Sequence, residues 1–150
     1  MKIYIASDHG GFEYKEELKR HLKDKGYEVE DMGAFALNPE DDYPDFIFPL
    51  ALRVAQDKQD FGIVIGRSGN GEAMAANKVR GIFAAVCLGI QMAKKAREDD
   101  NANILSLGAD YVSLEDAKKI ADTFLTTPFS DKERHMRRLS KISEYESSNP

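Results

Sequence analysis

Phe61-Gly62-Ile63-Val64-Ile65-Gly66-Arg67-Ser68-Gly69-Asn70-Gly71-Glu72 is the stretch on which the fold reading turns. Gly62 to Ile65 forms a continuous run without polar alternation, the pattern of a strand covered on both faces, as in a parallel sheet flanked by helices. The run then breaks into a segment of glycines and a serine before Ala73-Met74-Ala75-Ala76-Asn77-Lys78 resumes with helix-forming residues. Strand, glycine-rich turn and helix make half of a βαβ unit.

Outward from this segment the same alternation repeats. Ile3 to Ala6 reads as a first buried strand, followed by Phe12, Tyr14, Leu18 and Leu22 at helical spacing, with Gly26 as the stop. Tyr27, Val29 and Met32 mark a second strand. Residues 33–44 carry the turn and breaker residues of a loop, and an apolar helix is expected from Phe46 to Ala55, with Pro49 near its first turn. Ile82 to Cys87 and Ala102 to Leu107 supply the fourth and fifth strands, with a helix at Gln91–Glu98 between them. Leu114–Leu125 and Lys132–Tyr145 are the last two helices. Five strands so joined predict a doubly wound α/β sheet with right-handed crossovers, and ligands bind such sheets beyond the carboxyl ends of the strands. A single domain is expected over residues 1–146, with 147–150 as a frayed tail.

Composition narrows the function classes. With 42% hydrophobic residues the 150-residue chain can bury a core, and a net charge of −5 argues against coating nucleic acid or an anionic membrane. The single cysteine, Cys87, cannot form an internal disulfide and reads as a small core residue, and His21 reads as exposed on a charged helix. One cysteine and three histidines give no zinc-finger spacing. The first residues turn polar too early for a signal-peptide core, and no 18 apolar residues run together. The expectation is a soluble protein in the cytoplasm.

Four segments carry candidate chemistry. After the first strand, Ser7-Asp8-His9-Gly10-Gly11 places an acceptor and a titratable ring beside two glycines; Ser7 or Asp8 as a plain helix cap is the alternative. In Gly66–Glu72, Ser68 and the N–H groups of Gly69, Asn70 and Gly71 form a nest suited to a developing oxyanion, with Glu72 beside it. A base next to such a nest can remove a proton alpha to a carbonyl and hold the resulting enediolate, whereas a Glu that merely complements the helix dipole explains the position equally well. On the last helix Arg134 and Arg138 share a face and can grip a phosphate, unless Lys132 to Arg138 is simply a solvated charged face. Arg97-Glu98-Asp99-Asp100-Asn101 sets carboxylates at a helix C-terminus, against the macrodipole, and marks either a site or a polar turn.

Together Ser7–Gly11, Asp41-Asp42-Tyr43-Pro44-Asp45, Gly66–Ile82, Ala102–Ala109 and Glu133–Arg138 resemble the type B ribose-5-phosphate isomerase family, which includes galactose-6-phosphate isomerase subunits. The resemblance covers about Met1 to Tyr145. It implies a Rossmann-like three-layer αβα sandwich with a five-stranded parallel sheet, working as a homodimer or dimer of dimers with shared sites and without metal or organic cofactor. It also implies aldose–ketose isomerisation of a small sugar phosphate through an enediolate. By the same resemblance Asp8, His9 and Tyr43 surround the sugar and phosphate, and Arg134 and Arg138 hold the phosphate. Many members carry a cysteine base where this chain has Gly66. The branch with Ser-Gly-Asn-Gly-Glu uses the glutamate, which makes Glu72 the base and Ser68 to Gly71 the anion hole. Asn77 and Lys78 have a structural part.

The chain departs from the family at a few positions. Asp99-Asp100 stands where His-Asn is usual, and that histidine assists opening of the furanose ring; Asp99 kept neutral by Asp100 is the expected substitute. Asp110 and Phe83 stand where arginines are usual, and Arg67 where a glycine is, so Arg67 is expected to add positive charge at the substrate. The alternatives are an isomerase of a different sugar or sugar acid, and a non-catalytic sugar-phosphate-binding module.

Overall fold

The computed structural model describes residues 1–149. Five parallel strands, β1 (Lys2–Ser7), β2 (Glu28–Asp31), β3 (Phe61–Gly66), β4 (Ala84–Val86) and β5 (Ile104–Gly108), lie in the order β2-β1-β3-β5-β4. The helices are α1 (Phe12–Asp24), α2 (Pro44–Val54), α3 (Asn70–Ala76), α4 (Ile90–Glu98), α5 (Leu114–Thr126) and α6 (Glu133–Ser148). The expected α/β sandwich with a five-stranded parallel sheet is the architecture observed.

The pleat sorts alternate residues of the central strands to opposite faces. Ile3, Ile5, Ile63, Ile65, Leu105 and Leu107 pack with Leu18, Leu22, Ala93, Ile120 and Phe124 of α1, α4 and α5. Tyr4, Ala6, Val64 and Ile104 pack with Ile47, Leu50 and Ala75 of α2 and α3. Both faces are therefore covered, which is why these strands read as continuous apolar runs. Each fully buried Ile or Leu contributes about 1.5–3 kcal/mol. The order of strands reverses at β1, which pairs with β2 on one side and β3 on the other. The turn after β1 and the turn after β3 therefore leave the sheet side by side.

Some boundaries differ from expectation. Helix α2 starts at Pro44, whose fixed φ suits a first helical residue, and the Tyr43 carbonyl accepts from the N–H groups of Phe46 and Ile47. Pro49 consequently lies inside the helix rather than in its first turn, on the exposed side where the freed carbonyl of Asp45 meets water. Strand β4 keeps only three residues, and the Asn77 side chain brackets its start by bonding both the N–H and the carbonyl of Ala84 at 2.8 and 2.9 Å. His21 is not exposed: Nε2 lies 2.9 Å from Asp122 on α5, tying α1 to α5. Cys87 is a core residue, with its thiol pushed up to about 11 by burial. Helix α6 continues through Ser148, into the stretch expected to be a tail, while Pro150 lies outside the described residues.

Lys15 is fully buried, and its ammonium donates to Asp31 at 2.7 Å and to Glu16 at 2.9 Å. Burial alone would raise the pKa of Asp31, but hydrogen bonds from Lys15, Lys19 and the Gly33 N–H outweigh it and hold the carboxyl below its ordinary value. The resulting stability is complete above the unfolded carboxylate pKa of about 3.9 and is lost as the pH falls through the lower folded value. Asp31→Asn leaves the Lys15 charge without its best partner, and urea titration at neutral pH should show a loss of about 3 kcal/mol. The variant should also show a shallower loss of stability below pH 4 than the parent.

Candidate functional site

The turns after β1 and β3 build the site. At the end of β1, Asp8 Oδ1 accepts from the Gly10 N–H at 2.9 Å and caps the short turn His9–Gly11, the structural part of the expected alternatives. Asp8 is buried and lines a cavity of about 240 Å³ together with His9, Tyr43, Arg67, Ser68, Gly71 and Glu72. Tyr43 arrives from the loop before α2 and lies over Gly71, where a Cβ would stand 2.6 Å from its ring.

The loop after β3 turns through Gly69, whose φ of 83° is left-handed and suits glycine. Ser106 on β5 donates its hydroxyl to the Gly69 carbonyl at 2.7 Å and fixes the turn from below. Ser68 Oγ accepts from the Asn70 N–H at 3.2 Å, so that donor of the expected nest is already engaged, and Gly69 and Asn70 shape the cavity without lining it.

Glu72, in the first turn of α3, is 4% exposed. Its carboxyl fills the space beside Gly66: a Cβ on residue 66 would sit 1.8 Å from Glu72 Oε1. Burial pushes the Glu72 pKa above its ordinary value; a backbone hydrogen bond opposes this, and the nearby Asp8 charge adds to the rise. A buried carboxylate so raised is a better general base than an exposed one.

His9 has a partner that the sequence reading passed over. Asp41 Oδ1 lies 2.7 Å from His9 Nδ1 and also accepts the His9 backbone N–H at 3.0 Å. The bond fixes the ring and directs Nε2 as its remaining functional nitrogen. Asp41 lies among the turn residues of 33–44, and its sequence signal is the acidic pair just before Tyr43. Ser106 was likewise hidden inside an apolar strand. Asp8, His9 and Asp41 offer ligand atoms within 4.8 Å of one another, the geometry of a possible cation site, although Nδ1 and Oδ1 are here spent on each other.

Other expected residues fall elsewhere on the chain. Arg67 lines the cavity, but its guanidinium lies 3.9 Å from Asp110, so the added positive charge is partly offset. Both residues also wall an adjoining cavity of about 420 Å³ that includes His9 and Tyr14. Asp99 and Arg134 stand in a different cleft, about 350 Å³, with Lys95, Glu98, Lys132 and His135. The carboxylate of Asp99 faces His135 Nε2 at 3.5 Å. Within the cleft Asp99 thus faces an imidazole, while Asp100 does not line it. Arg138 is exposed on α6 and Asp100 is exposed just past the end of α4; neither lines the Glu72 cavity of its own chain. One chain thus carries two separate polar clefts.

Residues 3–142 match the family described as Ribose/Galactose Isomerase. The chain belongs to the ribose/galactose isomerase family. Within it, the chain is 42% identical to ribose-5-phosphate isomerase B of Mycolicibacterium paratuberculosis, over 97% of this chain and 92% of that protein. The crystal structure of ribose-5-phosphate isomerase B from Mycoplasma genitalium with bound ribulose-5-phosphate superposes with a TM-score of 0.94 at 43% identity, covering 97% of this chain and 96% of that one. Ribose-5-phosphate isomerase B of Clostridium thermocellum matches with a TM-score of 0.95 at 47% identity, over 100% of both chains.

The fit of Glu72 against Gly66 makes a direct prediction for this member of the family. Gly66→Ala must displace the carboxyl, since a methyl cannot share its space with Oε1. Turnover should fall about 10²-fold or more, the scale of losing a positioned general base, while affinity for a sugar phosphate measured by calorimetry changes little.

Proposed function

We propose that the protein interconverts ribose 5-phosphate and ribulose 5-phosphate by proton transfer through an enediolate, with Glu72 as the base. The observation that carries the reading is the buried Glu72 carboxyl, raised in pKa, beside Ser68 and open to a cavity that also holds Asp8, His9 and Tyr43. Glu72 takes the proton from C2 of the open-chain aldose; negative charge develops on O1, where the Ser68 hydroxyl and the Gly71 N–H stabilise it. Return of the proton to C1 and transfer of the O2 proton to O1 give the ketose. Asp8, His9 and Tyr43 orient the hydroxyls.

The phosphate is held by Arg134 and Arg138 of a second copy of the chain. In support of this arrangement, the Glu72 cavity lacks both arginines, and α6 buries only His135 while leaving Met136, Ile142 and Tyr145 exposed. A two-fold dimer would cover that apolar surface and join one chain's Glu72 cavity to its partner's Arg134 cleft, giving two shared sites. The working form is therefore a homodimer or a dimer of dimers in the cytoplasm. Among the described residues no helix is long and apolar enough to cross a membrane. A longer sugar phosphate is a second reading, favoured by the adjoining cavity beyond Arg67.

The test is complementation. Glu72→Gln and Arg134→Ala should each lose about 10²-fold or more in ribose 5-phosphate turnover. Unfolded together and refolded as a mixture, they should recover about a quarter of wild-type activity, because each mixed dimer regains one intact site. A Glu72→Gln variant with unchanged turnover would overturn the base assignment, and a mixture no more active than its components would overturn the shared site.

A further inference from the structure

A pentose 5-phosphate rests in water as a furanose, in which C1 is a hemiacetal carbon and has no carbonyl for Glu72 to exploit. Opening it breaks the C1–O4 bond, and O4 must receive a proton while the C1 hydroxyl gives one up. The chain has three histidines to serve this exchange. His21 is tied to Asp122 on the outer side of α1, and His9 stands on the same cavity wall as Glu72 with Nδ1 committed to Asp41.

His135 is differently placed. It is the single buried residue of α6, 8% exposed, and it opens into the polar cleft that contains Arg134. One ring nitrogen faces the Asp99 carboxylate at 3.5 Å. Lys95 and Glu98 reach the cleft from α4, and Lys132 from the residue that caps α6. A carboxylate behind an imidazole orients the ring and stabilises its protonated form. His135 and Arg134 line one cleft, so whatever phosphate Arg134 holds brings its sugar toward this ring.

We infer that His135, oriented by Asp99, opens the sugar ring, an inference that rests on the isomerase reading and on the shared site. The imidazolium donates its proton to O4 as the C1–O4 bond breaks; the neutral ring then accepts the C1 hydroxyl proton as the aldehyde forms, and returns to its starting state. His135 is thus a catalytic residue and Asp99 a positioning residue.

Ribulose 5-phosphate separates this step from enolisation, because its C5 oxygen carries the phosphate and it cannot close to a furanose. Solvent deuterium enters its C1 through the enediolate without ring opening. His135→Gln should therefore lower ribose 5-phosphate turnover about 10²-fold while exchange into ribulose 5-phosphate stays within about twofold of wild type. Asp99→Asn, at a half-exposed position, should show the same split at about tenfold, and the retained exchange certifies a folded site. Parallel loss of both activities in both variants, or loss of neither, would overturn the inference. So would the same split in His9→Gln with none in His135→Gln. Wild-type protein that exchanges deuterium into neither sugar would instead overturn the isomerase reading, and this inference with it.

Discussion

The Glu72 carboxyl lies in the space that any side chain at residue 66 would need, and the rest of the site is arranged around that exclusion. A carboxylate can be buried only if something holds it, and here the holding is largely steric: the end of β3 supplies a gap, α3 starts one turn later, and Glu72 folds back into the gap. Desolvation then raises its proton affinity, and the neighbouring Asp8 reinforces the rise. The loop that delivers Glu72 is in turn fixed by the left-handed Gly69 and by the Ser106 hydroxyl beneath it. One geometric fact at the sheet's carboxyl edge thus sets position, burial and basicity together.

The charge distribution follows a complementary logic. The Glu72 cavity gathers Asp8 and Glu72, with His9 paired to Asp41 and Arg67 offset by Asp110. Such a wall suits hydroxyls and a migrating proton better than a phosphate dianion. The cationic groups are concentrated instead in the second cleft, where Lys95, Lys132 and Arg134 outnumber Glu98 and Asp99. A sugar phosphate needs both surfaces, and two copies of the chain provide a way to bring them together.

The sheet and its helices were legible because burial on both faces leaves continuous apolar runs, as in Ile3–Ala6 and Ile63–Ile65, between helical repeats. The start of α2 was less legible, since a proline at residue 44 and another at residue 49 offer competing positions for a first turn. Asp8, His9, Tyr43, Ser68 and Glu72 could be singled out because glycines and strand ends flag them or because a family motif includes them. Asp41 and Ser106 lie within quoted motifs too, but their parts were not legible, because each acts through a partner distant in sequence: Asp41 on His9, and Ser106 on Gly69. The Asp99–His135 contact is of the same kind, joining α4 to α6 across the fold. Residue type and spacing report local structure, whereas these contacts are created by chain crossovers.

The state of one carboxyl group governs the site, and that state can be observed directly. In protein labelled with 13C at the glutamate carboxyls, with Glu72→Gln used to assign the resonance, the Glu72 signal should titrate with a midpoint above the ordinary glutamate value of about 4.3. A midpoint at or below that value would mean that the group is neither desolvated nor poised as a base, and would contradict the account at its centre.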